Sequence, residues 1–492
     1  MKNLMIKIVT LWFLLLIPAI PIQAKTVDKK QALQVANNWI TFVIHDKGHW
    51  GGSADARVAE IQELKRDKRI LGYFCRVEPQ GYIVVSLLRE LSPVTDFSYD
   101  SDLDPESDEG MAKLIKDCIE RMHEGIEKQA GPIESATTKQ FKDILSANYT
   151  DSWSQLEKDW AVFKSELESG AITMNYQEGE ELLTSRWHQF SPYNLYCPTP
   201  PVGSGCQEKN CCVGCVGLSA SEILRYWAWP PYGTIPPYNN QYAWWFMPDM
   251  AYDNSPVWEK NAVAELCLEV ADAIQSEYCI AGGCGTSSNF TNVKNAIENY
   301  FHYANSSSEI LWANYDEVTW FNIIKQQLNM NRPVQYAIPG HAIVVDGWME
   351  EYPGPERFVH IVYGWRNAAN TGWHLLDEIP GEKPAISMLI NIVPAPALGS
   401  SISGVYSLPS FPYRYFDRDC SATYAVFQAG HQLQFLHNIT VRGSDYNSES
   451  RITFYGSPSL NTRLFSRGDP SKGVSIYKGA VLLKTNGGIK FY

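Results

Sequence analysis

The central part of the chain places its helical segments before its strands. Periodic apolar residues predict a helix from about residue 216 to residue 229, ended by Pro230 and Pro231, and further helices over residues 261–277 and 292–302. Three segments of strand length follow, residues 342–348, 358–364 and 373–376, separated by residues that favour turns. This order predicts an α+β fold in which the helices pack against an antiparallel sheet.

Composition divides the 492 residues into four parts. Residues 1–24 combine Lys2 and Lys7 with an apolar run and end at Ala24, which is typical of a cleaved export signal. An uncleaved N-terminal anchor is the alternative. Residues 25–170 predict a small α+β unit, and residues 171–395 are rich in Trp, Tyr, Pro, Gly and Cys. Residues 396–492 hold short apolar alternations that predict a separate all-β module.

Charge and hydropathy exclude several classes of partner. The net charge is −13, without the basic stripe that tracks a phosphate backbone, so no nucleic-acid partner is expected. No apolar run after residue 24 is long enough to span a bilayer, so we expect no stable membrane insertion and a secreted or otherwise exported protein. The acidic stretch over residues 96–109 predicts a solvated linker or loop.

Eleven cysteines fit an oxidising compartment, and their odd number leaves at least one thiol outside intramolecular pairing. Cys206, Cys211 and Cys212 are predicted to form disulfides, because their spacing does not match that of a zinc site. Cys279 and Cys284 are also predicted to enter disulfides. We expect neither a metal nor a cofactor.

One cysteine has the surroundings of a nucleophile. A thiol becomes a thiolate more readily at a helix N-terminus and beside an imidazolium. Cys215 directly precedes the first predicted helix, and His341 lies far downstream at the entrance to a predicted strand. The two residues together predict a thiolate–imidazolium dyad.

Three blocks of this sequence resemble the streptopain-like cysteine peptidases. Gly214-Cys215-Val216 resembles the start of the family's nucleophile helix, and Gly340-His341-Ala342 resembles its histidine strand. The segment that carries Gln189 resembles the one with the oxyanion-hole glutamine. Beyond the Cys215 and His341 blocks, the match continues at further residues: Ala220, Ile223, Tyr226, Pro230, Val344, Asp346, Gly347, Phe358, His360, Gly364, Trp365, Gly372 and Leu375.

The resemblance implies a papain-like, two-subdomain catalytic fold and a role for each site residue. Cys215 would attack the peptide carbonyl, His341 would transfer the proton, and Gln189 would hold the oxyanion with the Cys215 backbone N–H. Trp365 would support the histidine or serve as a plain core aromatic. The segment at residues 81–86 is similar to the family's propeptide, so residues 25–170 are expected to inhibit the enzyme and residues 171–395 to hydrolyse protein or peptide substrates.

The sequence departs from the family at the residue expected to orient the histidine. Val362 stands where the family usually has asparagine, and Glu222 where glutamine is common. An imidazole without that partner would be less well oriented. One alternative is therefore an inactive relative that acts as a surface binding protein or protease inhibitor. Another is a transglutaminase-like enzyme or amidase that uses the same dyad.

Overall fold

The computed structural model describes residues 26–394 except 146, 228, 231–241, 281, 352–353, 367–370 and 377–385. Beyond residue 400 it describes the backbone of the strands. The predicted export signal lies outside the described residues. Within the described part of the chain, no helix is both long and apolar enough to cross a membrane.

The N-terminal region, residues 26–178, contains helices and an antiparallel set of strands. Its elements are α1 (Lys29–Lys47), β1 (Arg57–Arg66), β2 (Arg69–Glu78), β3 (Tyr82–Ser86), β4 (Val94–Ser98), α2 (Gly110–Ala130), α3 (Thr138–Ile144), α4 (Thr150–Leu156), α5 (Trp160–Glu168) and β5 (Tyr176–Glu178).

The central region, residues 179–394, has helices followed mainly by strands, as predicted. Its elements are α6 (Cys215–Trp227), α7 (Val257–Ala273), α8 (Phe290–Tyr300), β6 (Ser308–Leu311), α9 (Glu317–Asn329), β7 (Val334–Ile338), β8 (His341–Glu351), β9 (Arg357–Val362), β10 (Thr371–Leu375) and β11 (Ser387–Ile390). The α+β class is confirmed.

A single antiparallel sheet joins the two regions. Its described strands run in the order β1-β2-β3-β4-β10-β9-β8-β7-β11-β6, and β5 pairs with β8. The junction lies between β4 and β10, where Phe97 is opposite Trp373 and Asp96 is opposite His374. The N-terminal strands therefore extend the central sheet at the β10 edge.

Helices cover both faces of this sheet. Along β3, Tyr82 and Val84 share one apolar core with α2 and α6, whereas Ile83 and Val85 share another with α1. This division follows from the alternation of side chains across a strand. Each core contains residues of both regions, so neither region buries its apolar surface alone.

The acidic stretch that begins at residue 96 is not solvated at its start, which corrects the linker prediction. Asp96 is buried in β4, with its Oδ1 2.5 Å from Nδ1 of His374. Asp100 accepts hydrogen bonds from Arg186 at 3.1 Å and from Thr371 at 2.9 Å. These carboxylates pack because the central region supplies their partners.

Two disulfides link the loop before α6 to the loop before α8. They join Cys206 to Cys284 and Cys211 to Cys279. These four cysteines were predicted to enter disulfides, and the structure supplies the pairing. The prediction is wrong for Cys212, which is a buried free thiol. Adjacent side chains in an extended segment point in opposite directions, so Cys211 and Cys212 do not reach the same partner.

The C-terminal part consists of short strands, as predicted, but they pair in parallel. Its strands are β12 (Ser401–Tyr406), β13 (Tyr413–Phe416), β14 (Cys420–Phe427), β15 (Gln432–Phe435), β16 (Ile439–Arg442), β17 (Asp445–Tyr446), β18 (Arg451–Phe454), β19 (Arg463–Leu464), β20 (Ser475–Ile476), β21 (Val481–Lys484) and β22 (Lys490–Phe491). Tyr413 pairs with Gln432, which pairs with Arg451, so the register advances by 19 residues at both steps. The next step, from Arg451 to Val481, is 30 residues, so the strands stack in parallel with turns of unequal length between them.

A buried carboxyl group fixes the segment that precedes α6. Glu222 of α6 is 1% exposed and accepts a hydrogen bond of 3.1 Å from the Trp187 backbone N–H. Burial raises the pKa of Glu222 to about 8, although the hydrogen bond from Trp187 opposes this rise. The side chain is therefore mostly protonated at neutral pH, which is why it can stand where glutamine is common.

We predict that Glu222→Gln removes a pH dependence from the stability of the protein. Unfolded Glu222 ionises near its ordinary pKa of about 4.3, so the native state loses stability as the pH rises from there to about 8. The loss is on the order of 5 kcal/mol, because each pKa unit corresponds to about 1.4 kcal/mol. Urea unfolding midpoints at pH 5, 7 and 9 measure it. Glu124→Gln, at an exposed position of α2, is the matched control and should leave the pH dependence unchanged.

Candidate active site

Cys215 is the first residue of α6, and the preceding turn depends on glycine. Gly214 has φ +87°, and a Cβ there would lie 2.9 Å from Cγ2 of Thr286. The helix places its positive N-terminal end at the Cys215 sulfur. The sulfur also accepts a hydrogen bond from the backbone N–H of Ala342, the residue after His341. The fold thus brings the two predicted dyad residues into one site.

His341 is the first residue of β8, and a backbone carbonyl orients its ring. Nε2 lies 2.7 Å from the carbonyl oxygen of Tyr363, and the Tyr363 ring centroid is 4.4 Å from that of His341. This carbonyl is an acceptor that replaces a side-chain oxygen, so Val362 does not leave the imidazole without an orienting partner. When Nε2–H donates to Tyr363, Nδ1 is the basic nitrogen, and it has no hydrogen-bond partner.

The thiol and the imidazole are both held neutral. Burial raises the pKa of Cys215, and burial lowers the pKa of His341 to about 4. A thiolate–imidazolium pair requires both shifts to be reversed. The described arrangement therefore holds both groups in their uncharged forms.

Gln189 and Trp365 lie next to the dyad. The Gln189 side-chain amide donates to the carbonyl oxygen of Gly364 at 3.2 Å, and the Gln189 carbonyl accepts from Val213 N–H at 3.0 Å. The Trp365 ring meets the His341 ring edge to face, with centroids 5.4 Å apart. The three predicted companions of Cys215 thus converge on one end of α6.

The N-terminal region covers this site. Gly110, the first residue of α2, has φ +60°, and a Cβ there would lie 3.2 Å from Cδ1 of Trp365. Met111, Leu114 and Ile115 of the same helix belong to the apolar core that contains Leu218 of α6. Neither contact was predicted from the sequence. A glycine that begins an apolar helix is the signal that could have indicated a close approach.

The other histidines near the site bond to neighbouring groups of the protein. His188 Nδ1 accepts from the Phe190 backbone N–H at 3.3 Å, and burial lowers the pKa of His188 to about 4. His360 Nδ1 is 2.6 Å from Asp346 Oδ1 inside the sheet. Asp346 also accepts from Leu183 N–H at 3.0 Å, so it holds neighbouring segments together.

Two family models match the chain. Residues 187–374 match the Peptidase C10 family, and residues 24–122 match the Spi protease inhibitor. The first range contains the candidate site, and the second ends within α2. The chain is also 24% identical over 382 residues to the thiol protease/hemagglutinin PrtT of Porphyromonas gingivalis. This alignment covers 73% of the chain but only 40% of that relative.

Two solved structures from Prevotella intermedia are similar to this chain. A prointerpain A fragment is 20% identical with a TM-score of 0.46, and the match covers 68% of this chain and 99% of that one. The active interpain A cysteine protease is 24% identical with a TM-score of 0.35, and the match covers 43% and 94%. The family models confirm the resemblance inferred from the sequence blocks: residues 187–374, which contain the candidate site, match the Peptidase C10 family.

Proposed function

We propose that this chain is a secreted cysteine endopeptidase made as a zymogen. Residues 1–24 would direct export, residues 25–170 would inhibit the enzyme, residues 171–395 would form the catalytic domain, and residues 396–492 would form a separate β module. The observation that carries the proposal is the position of Cys215 at the start of α6. Its sulfur accepts a hydrogen bond from the backbone N–H of Ala342, the residue after His341. Proteins or peptides are the substrates.

Each residue has one step in the proposed reaction. Nδ1 of His341 takes the thiol proton, and the Cys215 sulfur attacks the peptide carbonyl. The Gln189 amide and the Cys215 N–H stabilise the resulting oxyanion. His341 then gives its proton to the leaving amine, and the acyl group stays on sulfur. Water, deprotonated by His341, hydrolyses this thioester and regenerates the thiol.

The N-terminal region inhibits this chemistry by excluding water and substrate. α2 contacts Trp365, buries the dyad and keeps both of its members neutral. The Gln189 amide that would hold the oxyanion donates to Gly364 instead. Removal of the N-terminal region would hydrate the site, which favours the charged forms of both groups. The match of residues 24–122 to the Spi protease inhibitor supports this role.

An inactive relative that acts as a surface binding protein or inhibitor is the second candidate. It depends on Val362, which cannot orient a histidine through a polar side chain. The Tyr363 carbonyl supplies that contact, 2.7 Å from Nε2. The geometry therefore favours the enzyme over the binding protein.

We predict that an epoxide inhibitor of papain-like thiols labels Cys215 of the processed protein and labels the full chain far more slowly. In the full chain the thiol is half-buried and desolvation raises its pKa, so it is a poor nucleophile there. Peptide mapping of the label and casein turnover are measured together, with Cys215→Ala as the control. An unreactive Cys215 in a folded, processed protein would instead support the binding-protein alternative.

We predict that Gln189→Ala lowers kcat of the processed enzyme on a peptide substrate by about 10²- to 10³-fold, with little change in KM. The amide acts on the oxyanion, which exists only along the reaction path. Gln207→Ala, at an exposed position of the same domain, should leave both constants unchanged. Unchanged kcat in Gln189→Ala would remove Gln189 from the oxyanion hole.

We predict that Gly110→Ala weakens docking of the N-terminal region and speeds maturation. The alanine must take a left-handed backbone conformation, and its Cβ must press on Trp365. Together these effects destabilise the docked state by about 1 kcal/mol or more. Gly131, at the other end of α2, has φ +82° with no atom within 4 Å of an added Cβ. Gly131→Ala therefore carries the backbone strain without the contact. Equal maturation rates in the two variants, followed by gel electrophoresis, would exclude a role for the Trp365 contact.

A further inference from the structure

A second cysteine, histidine and carboxylate meet at the junction of the two regions. His374 of β10 lies between Asp96 of β4 and Cys118 of α2. Its Nδ1 is 2.5 Å from Asp96 Oδ1, and the ring also makes a side-chain hydrogen bond to Cys118. Because Asp96 occupies Nδ1, Nε2 is the nitrogen left for the thiol. The order is carboxylate, imidazole and thiol, the order found around activated thiol nucleophiles.

The Cys118 sulfur has two cationic side chains beside it, those of His374 and Arg121. Burial opposes the charged form of His374, but Asp96 raises its pKa well above the ordinary value, so the ring is an imidazolium at neutral pH. On the same helix, Nη2 of Arg121 donates to Cys118 Sγ at 3.5 Å. Two cationic side chains, one from each region, therefore lie beside this sulfur.

The thiol opens into an apolar cavity between α2 and the sheet. The cavity has a volume of about 110 Å³, and its lining includes Leu114, Cys118, Ile119, Tyr336, His374 and Leu376. A cavity of about 150 Å³ binds benzene, so this cavity has room for an organic group somewhat smaller than benzene. Cys118 is partly exposed, whereas the free thiols of Cys75, Cys197, Cys212 and Cys267 are buried.

We propose that Cys118 is a thiol modification site for small organic disulfides and that its modification opens the junction between the two regions. The Cys118 thiolate attacks one sulfur of a disulfide RS–SR, a Cys118–S–S–R bond forms, and RS⁻ leaves. Cys118 is oxidised to the mixed disulfide, and half of the reagent is reduced to the thiolate. The sulfur then no longer pairs with His374, and the R group lies between α2 and β10.

The reactive site exists only while the two regions are docked. Asp96 and Cys118 come from the N-terminal region, and His374 comes from the central one. The contact between Cys118 and His374 joins the two regions, so its loss on modification weakens docking. In the proposed zymogen this opening would release activity, and only that consequence rests on the proposed function.

The test uses the full chain with Cys215→Ala, so that neither processing nor the thiol at position 215 contributes. Hydroxyethyl disulfide is the probe because it is small and neutral. Peptide mapping by mass spectrometry should locate one hydroxyethylthio group on Cys118, formed at least tenfold faster than on any buried free thiol. Addition of Cys118→Ser should abolish it. Addition of His374→Gln, whose amide can still bond to Asp96 but carries no charge, should slow it at least tenfold.

The second measurement is hydrogen exchange in β4 and β10. Modification should raise exchange at least tenfold for amides in residues 94–98 and 371–375, which pair across the junction. If His374→Gln does not fold, Asp96→Asn keeps the shape, removes the carboxylate charge and should slow labelling likewise. Equal labelling of Cys118 and the buried thiols would overturn the site. Labelling with unchanged exchange would overturn the opening, and neither result depends on whether the chain is a peptidase.

Discussion

The pairing of β4 with β10 is the contact on which the arrangement of the two regions depends. It makes one sheet from strands of both regions, and the helices on each face then pack against residues from both. A buried carboxyl group adds to the joint. Glu356 accepts hydrogen bonds from Ser92 at 3.2 Å and Ser152 at 3.0 Å, across more than 200 residues of sequence. Separation would expose a strand edge and two apolar surfaces, so docking is a part of folding.

Docking also accounts for the uncharged forms of Cys215 and His341 in this arrangement. A thiolate and an imidazolium both need solvation or mutual contact, and burial under α2 denies them the first. The same burial leaves Nδ1 of His341 without a hydrogen-bond partner. Its lone pair is therefore free to accept a proton. The inhibition that we propose is therefore desolvation and steric cover of these two groups.

The histidine shows how a backbone group can replace a missing side chain. The family pattern places a polar residue at position 362, and its absence in the sequence suggests a weakened site. In the fold, the strand that ends at Val362 leads directly to the Tyr363 carbonyl, which lies 2.7 Å from Nε2. A carbonyl is present at every residue, so its use as an orienting acceptor leaves no trace in the sequence.

The sequence by itself determined the elements and the chemistry that short-range patterns carry. Apolar periodicity predicted the helix at Cys215 and the strands after it, and the resemblance of three sequence blocks to the peptidase family selected Cys215, His341 and Gln189 for one site. Tertiary structure alone decided which strands pair and which charges meet. Asp96 and His374 are 278 residues apart, and Cys118 belongs to a helix that the sequence marks only as amphipathic. Their contact follows from sheet order, which depends on packing between distant segments and not on any local preference of the chain.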